Sequence, residues 1–431
     1  MTTRTMHTTC CIVGGGPAGM MLGLLLARAG IEVIVLEKHL DFFRDFRGDT
    51  IHPSTLDLID QLGLRERFDA IPQSPIRTLD IVINGNRLTP VDFSTLRGRN
   101  RKITLMPQWD FLSLLADEAS RYPNLTMMFG AEATGLLRDG AQVTGVTATT
   151  PEGPVEISSL LTVAADGRDS TVRRASGLIP REFGVAVDVL WFRLPKTGAP
   201  QPDTLGYLDG ESMLITIPRT DYYQTGMLIP KGSFDAIQAA GIEEFRARIL
   251  RAGPFLTDAV TSLVDWNQVK LLTVQINRLP QWWLPGLLCI GDAAHAMSPA
   301  FGVGVNYAIQ DAVAAARLLV EPLRTGAISS RDVQRVQRRR APAVRLMQPI
   351  QLRLHEAVAN PTGGDFLPSP MRAWQRNAAE VILPVLRRLM ARLIGRGFRP
   401  ERLTGELRKP QAASADAATS SPAGTAGHHG A

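Results

Sequence analysis

Cys11-Ile12-Val13-Gly14-Gly15-Gly16-Pro17-Ala18-Gly19-Met20, followed further on by Val33-Ile34-Val35-Leu36-Glu37, decides the fold. Residues 8–13 form an apolar run that reads as a buried strand. Residues 17–29 have a helical pattern stopped at Gly30, and residues 31–36 alternate with β-branched side chains as a second strand. Gly14, Gly16 and Gly19 therefore stand at a strand-to-helix junction. The first permits the tight turn, the second lets a pyrophosphate approach the backbone, and the third lets the helix pack close to the sheet. The helix N-terminus offers free N–H groups and a partial positive charge to phosphates. Glu37 ends the second strand, where a carboxylate accepts from ribose hydroxyls and disfavours a 2′-phosphate. This β-α-β unit points to FAD or NAD rather than NADP.

A second motif stands far downstream: Gly291-Asp292-Ala293-Ala294-His295, then Pro299, Gly302, Gly304 and Asn306. Asp292 follows an apolar strand at 287–290, a place from which a carboxylate accepts from ribityl hydroxyls. The loop 299–304 offers backbone N–H groups to a flavin ring, and its glycines permit close approach. Two segments so far apart, converging on one large ligand, favour FAD over NAD. Between them Asp166-Gly167-Arg168-Asp169-Ser170-Thr171-Val172-Arg173 follows a core strand at 160–165. A turn at Gly167 and a helix cap at Ser170 account for those residues without any function.

Around these motifs the chain reads as an α/β protein. Residues 53–62 form a helix capped by Gly63, and 108–121 form another, opened by Gln108. Residues 78–91 read as a hairpin turning at Asn84-Gly85. Residues 125–129 form a strand, and 145–157 a meander. The segment 182–275 changes character. It has short strands at 185–194, 212–217 and 222–229, turn residues and few long helices, which predicts a mostly antiparallel sheet. Residues 305–320 form a long apolar helix. The expected organisation is a discontinuous Rossmann-like FAD-binding domain with a parallel sheet and β-meander (1–75, 100–181 and 276–330). An inserted substrate domain (76–99 and 182–275), a basic helical region (331–409) broken near 361–370, and a disordered tail (410–431) complete it.

With 431 residues, 45% hydrophobic and 20% charged, the composition is that of a soluble globular protein long enough for two domains. Cys10, Cys11 and Cys289 lie in apolar runs without metal-ligand spacing, so buried thiols in a reducing compartment are expected, and no metal. The polar N-terminus is no signal peptide, and the apolar stretch 20–29 is too short to span a bilayer, so a cytoplasmic protein is expected. The net charge of +6 is uneven: 331–409 holds 17 Arg or Lys against 6 Asp or Glu. A solvated helical face accounts for this, with peripheral contact to an anionic membrane as the alternative. The amphipathic stretch 384–399 is expected to bury its apolar side on the FAD half rather than in lipid. No nucleic-acid module or base-stacking pattern is present.

Taken together, in this order and spacing, the three motifs resemble the FAD-dependent aromatic hydroxylases typified by para-hydroxybenzoate hydroxylase, over roughly residues 8–320. Arg47-Gly48 and Gln108 add to the match. The resemblance implies that Gly14, Gly16, Pro17, Ala18, Gly19, Glu37 and Lys38 hold the ADP half of FAD. It implies that Arg47, Gln108 and Asp292 hold the ribityl chain and pyrophosphate. Pro299, Gly302, Gly304, Val305 and Asn306 would border the isoalloxazine. It associates Asp166 with both FAD and NAD(P)H, and makes Arg44 a further phosphate or nicotinamide contact. No second glycine fingerprint exists, which matches a family where NAD(P)H visits transiently. No thioredoxin-like domain follows residue 331, unlike the phenol and polyketide branches.

The implied reaction uses NAD(P)H and O2 to hydroxylate an aromatic or polycyclic phenol-like small molecule through a flavin C4a-hydroperoxide, with the flavin carrying the chemistry. Epoxidation or Baeyer–Villiger oxidation on the same fold stays open. A halogenase lacks its Trp-x-Trp-x-Ile-Pro signature here, and a non-catalytic relative would not need Asp166 and Asp292. His295 reads as structural, and His52 and His355 have no better claim to catalysis. No catalytic base is identified. Arg193, Tyr207, Tyr222, Tyr223 and Trp191 are candidates for a substrate pocket, although strand alternation sends only some of them inward. Trp282-Trp283 are expected to pack the start of a strand.

Overall fold

The computed structural model describes residues 3–43, 50–83, 86–197, 206–209, 212–359 and 373–408. Two sheets organise them. In the first, Leu287–Cys289, Gly153–Ala164, Arg4–Val13, Val33–Glu37 and Leu125–Phe129 lie side by side and parallel. The helix Pro17–Arg28 crosses between the strands Arg4–Val13 and Val33–Glu37, buried along nearly its whole length. It packs against the helices Gly304–Arg324 and Gln108–Ala119. Apolar residues surround it because it has neighbours on several sides.

The parallel sheet carries a meander. Glu132–Asp139 and Gln142–Thr150 pair antiparallel, and the latter pairs with the first half of Gly153–Ala164. Expected as two pieces, a meander and a core strand at 160–165, this region holds one continuous strand from Gly153 to Ala164. Its burial alternates through the meander half and becomes continuous from Leu161 to Ala164. Ser158 and Ser159 sit where the pattern changes, and their polarity made the strand read as broken.

The second sheet has seven strands in the order Lys270–Leu272, Val187–Pro195, Tyr222–Pro230, Ser212–Pro218, Gly206–Asp209, Thr78–Ile83, Asn86–Asp92. All neighbours are antiparallel except Gly206–Asp209 and Thr78–Ile83, which pair parallel. The strands Thr78–Ile83 and Asn86–Asp92 form the expected hairpin pair, and the turn residues Asn84 and Gly85 lie outside the described residues. Helices Phe234–Ala239 and Ile242–Ala252, absent from the sequence expectation, cover one face of this sheet. Phe245 and Ile249 there meet Leu190, Phe192, Leu194 and Leu214. Small sheets Thr50–Ile51/Ile103–Leu105/Ser74–Ile76 and Arg181–Phe183/Ile276–Arg278 were not expected either.

The basic region forms helices Ser330–Ala359, Ala373–Gly395 and Gly405–Arg408. The expected break at 361–370 lies outside the described residues. Part of its charge turns inward. Arg339 and Arg317 each reach Glu401 at 2.6 Å, and Arg396 pairs with Asp57. On the helix Ala373–Gly395, Ala391 and Ile394 are buried and Val385, Leu386 and Leu389 are exposed; the helix packs chiefly on Asn86–Asp92 and Phe93–Thr95, in the stretch expected to belong to the substrate domain, rather than on the FAD half. Among the described residues no helix is long and apolar enough to cross a membrane, and no group of His, Cys, Asp and Glu is arranged to hold a metal.

A buried charge cluster ties the end of the parallel sheet to these helices. Asp311, in the helix Gly304–Arg324, accepts from Gly291 N at 3.2 Å, from Arg340 Nε at 2.9 Å, and lies 2.6 Å from His295 Nε2. Trp282 stacks on the His295 ring at 4.9 Å between centroids. His295 is thus structural, and Trp282 is core. Burial alone would raise the Asp311 pKa, but His295 and Arg340 outweigh it and hold the carboxyl below its usual range. Asp311→Ala leaves Arg340 buried without its partner and is expected to cost about 3–5 kcal/mol, read from the denaturant midpoint. The stability linked to Asp311's charge is complete above the unfolded carboxyl pKa of about 4 and is lost as pH falls through the lower folded value. The stability of Asp311→Asn should therefore change less than that of the parent protein over the same acid range.

Candidate active site

The glycine loop lies where the strand Arg4–Val13 meets the helix Pro17–Arg28. Gly14 has φ 106°, and a Cβ there would lie 2.4 Å from the Ala165 carbonyl oxygen. Gly19 is closed from the other side, since its Cβ would meet the Gly14 carbonyl at 1.9 Å. Gly16 differs: it is the helix N-cap, and among the described residues no side chain caps it and no atom lies within 4 Å of where its Cβ would stand. The helix N-terminus thus opens on free space, with Pro17 at its start and Ala18 buried behind. Glu37 flanks that space. Its Oε2 accepts from Gly15 N and its Oε1 from His39 N, each at 3.0 Å. Two amides fix the carboxylate, which retains acceptor capacity for a ribose. Lys38 beside it is exposed.

At the same edge of the sheet, directly beside Gly14, the turn after Ala164 carries Asp166. Its Oδ2 accepts from Val172 N at 3.2 Å, while its buried Oδ1 has no hydrogen-bond partner among the described residues. Burial pushes this carboxyl above its usual pKa, against hydrogen bonds from Ser170 and Val172. Ser170 caps the helix Thr171–Ser176 by accepting from Arg173 N at 2.9 Å, as the turn-and-cap reading expects. Two arginines then stitch this turn to the distant motif. Arg168 Nε donates to Asp292 Oδ2 at 3.0 Å, and Arg173 Nη1 donates to the Ala293 carbonyl at 3.0 Å. Asp166 and Asp292 therefore share one end of the sheet. The sequence motif contains both arginines, but their link to Asp292 depends on the parallel pairing of the strands beneath them.

The loop after Asp292 is shaped by its backbone. Phe301 at φ 64° and Gly302 at φ 60° are two consecutive left-handed residues, and Phe301 there is strained. A Cβ on Gly302 would lie 2.6 Å from Thr50 Oγ1. Asn306 braces this turn. Its Nδ2 donates to the Thr50 and Gly302 carbonyls at 3.0 and 3.2 Å, and its Oδ1 accepts from His52 N at 2.9 Å and Thr55 Oγ1 at 2.7 Å. Its amide thus serves the protein's own loop. Pro299, Gly304 and Val305 are half-buried along the same stretch. His52 Nδ1 lies 2.8 Å from the Ile394 carbonyl, and burial lowers the ring pKa to about 4 against its backbone hydrogen bonds, so it is neutral. Thr50 and His52 follow Arg47-Gly48 directly in sequence, the one signal that pointed to them. Gln108 is half-buried at the start of its helix. Arg44 and Arg47 lie outside the described residues.

The four polar candidates on the seven-stranded sheet separate by face. Tyr207 and Tyr223 are buried against Phe255 in the core beneath the helix Ile242–Ala252. Arg193 lies 5.2 Å over the Tyr222 ring, away from that core. Strand alternation explains the split, because Tyr222 and Tyr223 are adjacent and must face opposite ways. Trp191 shares the Arg193 face and lies flat against Gly226.

The site fits FAD: an open, uncapped helix N-terminus for a pyrophosphate, a carboxylate fixed for a ribose, and further carboxylates after neighbouring strands at the same edge of the sheet. Gly16→Ala tests this directly. With free space around it, the new methyl should change apo stability by no more than about 1 kcal/mol. It would occupy the space a pyrophosphate needs, so flavin retained through gel filtration should fall at least about tenfold. Undiminished flavin content would rule out this end of the helix as the phosphate site.

Residues 7–348 match the FAD binding domain family. The chain is 33% identical over 350 residues to 6-methylpretetramide 4-monooxygenase of Streptomyces rimosus, covering 80% of this chain and 83% of the relative. It is 30% identical over 322 residues to 12-dehydrotetracycline 5-monooxygenase/anhydrotetracycline 6-monooxygenase of Streptomyces rimosus subsp. rimosus, covering 72% of this chain and 61% of that protein. The crystal structure of pqsL, a probable FAD-dependent monooxygenase from Pseudomonas aeruginosa, shares the fold. Its TM-score is 0.70 at 21% identity, over 82% of this chain and 97% of that one. The uncapped glycine loop, the paired carboxylates and these relatives agree: the chain belongs to the FAD binding domain family and is an FAD-dependent monooxygenase.

Proposed function

We propose that this enzyme hydroxylates a fused-ring, phenol-bearing polyketide of the pretetramide kind, using NAD(P)H and O2. The observation that carries the reading is the 33% identity to 6-methylpretetramide 4-monooxygenase, which extends over 80% of this chain and 83% of that enzyme. Bound FAD supplies hydride acceptance from NAD(P)H and activation of O2. The chain's own groups bind and orient. The amides at the start of the helix Pro17–Arg28 face the pyrophosphate, Glu37 takes a ribose, and Asp292 takes the ribityl chain, held in direction by Arg168. The loop from Pro299 to Val305 borders the ring.

The seven-stranded sheet gives the substrate its wall. Ile217 packs both with the small cluster around Trp191 and with the large cluster that includes Val13, Ala164 and Ala293. The Trp191 face therefore turns toward the FAD half, and the face holding Tyr207 and Tyr223 turns away. That face is apolar: Val189 and Trp191 are buried there with Val274, Leu228 is half-buried beside them, and Arg193 and Tyr222 stand at one end. The apolar character of this face suits a fused-ring substrate held away from water.

The test is NAD(P)H oxidation by the yellow, FAD-loaded protein with 6-methylpretetramide, with anhydrotetracycline, and with simple phenols. The expected result is a product bearing one added oxygen atom from a fused-ring compound, with turnover at least about tenfold above that on phenol. Preference for the single-ring phenol would overturn the substrate class. Peroxide as the sole oxygen product from every compound would overturn hydroxylation.

A further inference from the structure

The loop at 298–302 is held by a helix, much of whose hold lies beyond the family match at residue 348. Gln348, Gln351 and His355 lie on one face of the helix Ser330–Ala359, and all are buried. Gln348 Nε2 donates to the Asn277 and Ala296 carbonyls at 2.8 and 3.1 Å. Gln351 Nε2 donates to the Ser298 and Ala300 carbonyls, each at 3.1 Å, and its Oε1 accepts from Ser298 N at 3.2 Å. His355 Nε2 lies 2.7 Å from Ser298 Oγ, which also accepts from Ala300 N at 2.9 Å. Side chains of one helix thus hold the backbone of Ala296, Ser298 and Ala300, through Gln348 and Gln351, and the Ser298 hydroxyl, through His355, just before the left-handed pair Phe301 and Gly302.

The same contacts reach the second sheet. Asn277 Oδ1 accepts from Ala296 N at 3.2 Å, and its Nδ2 donates to Glu182 Oε1 at 2.9 Å. Asn277 and Glu182 pair across the two-stranded ladder Arg181–Phe183/Ile276–Arg278, which adjoins the seven-stranded sheet in sequence. A loop carrying a strained residue keeps its shape only when its surroundings over-determine it. Reacting geometry is also sensitive: a shift of about 1 Å can change a rate on the order of a hundredfold.

We propose that Gln351 and His355 are positioning residues that set the loop 298–302 against the flavin ring and so tune the reactivity of the bound flavin. The proposal rests on the reading above that this loop borders the ring. Four variants test it: Gln351→Met, His355→Leu, His355→Gln and Pro299→Ala. Flavin content, absorption bands, midpoint potential and the rate at which photoreduced enzyme is reoxidised by O2 are measured for each, without any substrate. Gln351→Met and His355→Leu are expected to retain FAD, to displace the flavin bands and potential, and to change reoxidation by about tenfold. His355→Gln keeps a hydrogen-bonding group near the Nε2 position and should return close to the parent values.

Unchanged bands, potential and reoxidation in both disruptive variants would overturn the proposal, whatever their melting temperatures, because a purely structural role would move only the latter. If Gln351→Met does not fold, the contrast between His355→Leu and His355→Gln decides alone. Pro299→Ala separates the two levels. Unchanged bands there would remove the loop from the ring and the proposal with it. Changed bands there, with unaffected Gln351 and His355 variants, would overturn only the positioning role.

Discussion

Asp311 is the anion on which the cofactor-facing edge of the parallel sheet depends. A carboxylate with no exposed surface must have its charge met and its lone pairs filled, or the desolvation cost is unrecovered. Here Gly291 N comes from the end of the parallel sheet, His295 from the turn after it, and Arg340 from a separate helix. Gly291 and His295 belong to one turn and Arg340 to another helix, so satisfying one buried charge fixes that turn, the helix Gly304–Arg324 and the helix Ser330–Ala359 relative to one another. Asp292, the carboxylate proposed to meet the cofactor, stands between two of these partners in sequence. Its placement follows from this buried ion cluster.

The parts of the fold legible in the sequence were those where local pattern and tertiary environment agree. The glycine loop and its flanking strand and helix fall in one short window, and every feature of that window requires the others. The helix Pro53–Leu62 was equally plain, with Pro at its start and Gly63 after its end. The strand Gly153–Ala164 was read as two because half of it is a meander edge with an alternating pattern and half a buried parallel strand. The helix Ile242–Ala252 was missed because its apolar residues, Phe245, Ile249 and Ala252, are sparse among charges. The pairing of Gly206–Asp209 with Thr78–Ile83 has no local signature at all, since it joins segments more than a hundred residues apart.

The candidate site divides in the same way. Gly14, Gly16, Gly19 and Glu37 owe their arrangement to a single β-α-β unit, and sequence alone brings them together. Arg168, Arg173, Thr50 and Gln351 act on residues 53 to 256 positions away by virtue of topology. Asn306 shows a subtler limit. Its motif position is legible, but its amide turns out to hold the loop to Thr50, His52 and Thr55, because a left-handed turn beside a strand end needs those bonds more locally than any ligand does. Tyr207 and Tyr223 show the reverse error of chemistry without direction: an aromatic hydroxyl on a strand is a pocket candidate only once the covered face is known.

The basic C-terminal region acquires a role once these contacts are in place. Its charge excess looks in the sequence like a surface property, yet Arg339, Arg340 and Arg396 point into the protein, toward Glu401, Asp311 and Asp57. These pairs press the helix Ser330–Ala359 onto the FAD half. A helix so anchored at Arg339 and Arg340 projects its next turns, through Gln348, Gln351 and His355, along the loop that follows Asp292. Ion pairs set the helix and neutral amides set the loop. That order suits their physics: charges tolerate small changes in distance, whereas a glutamine bound to two carbonyls and one amide admits only one backbone geometry.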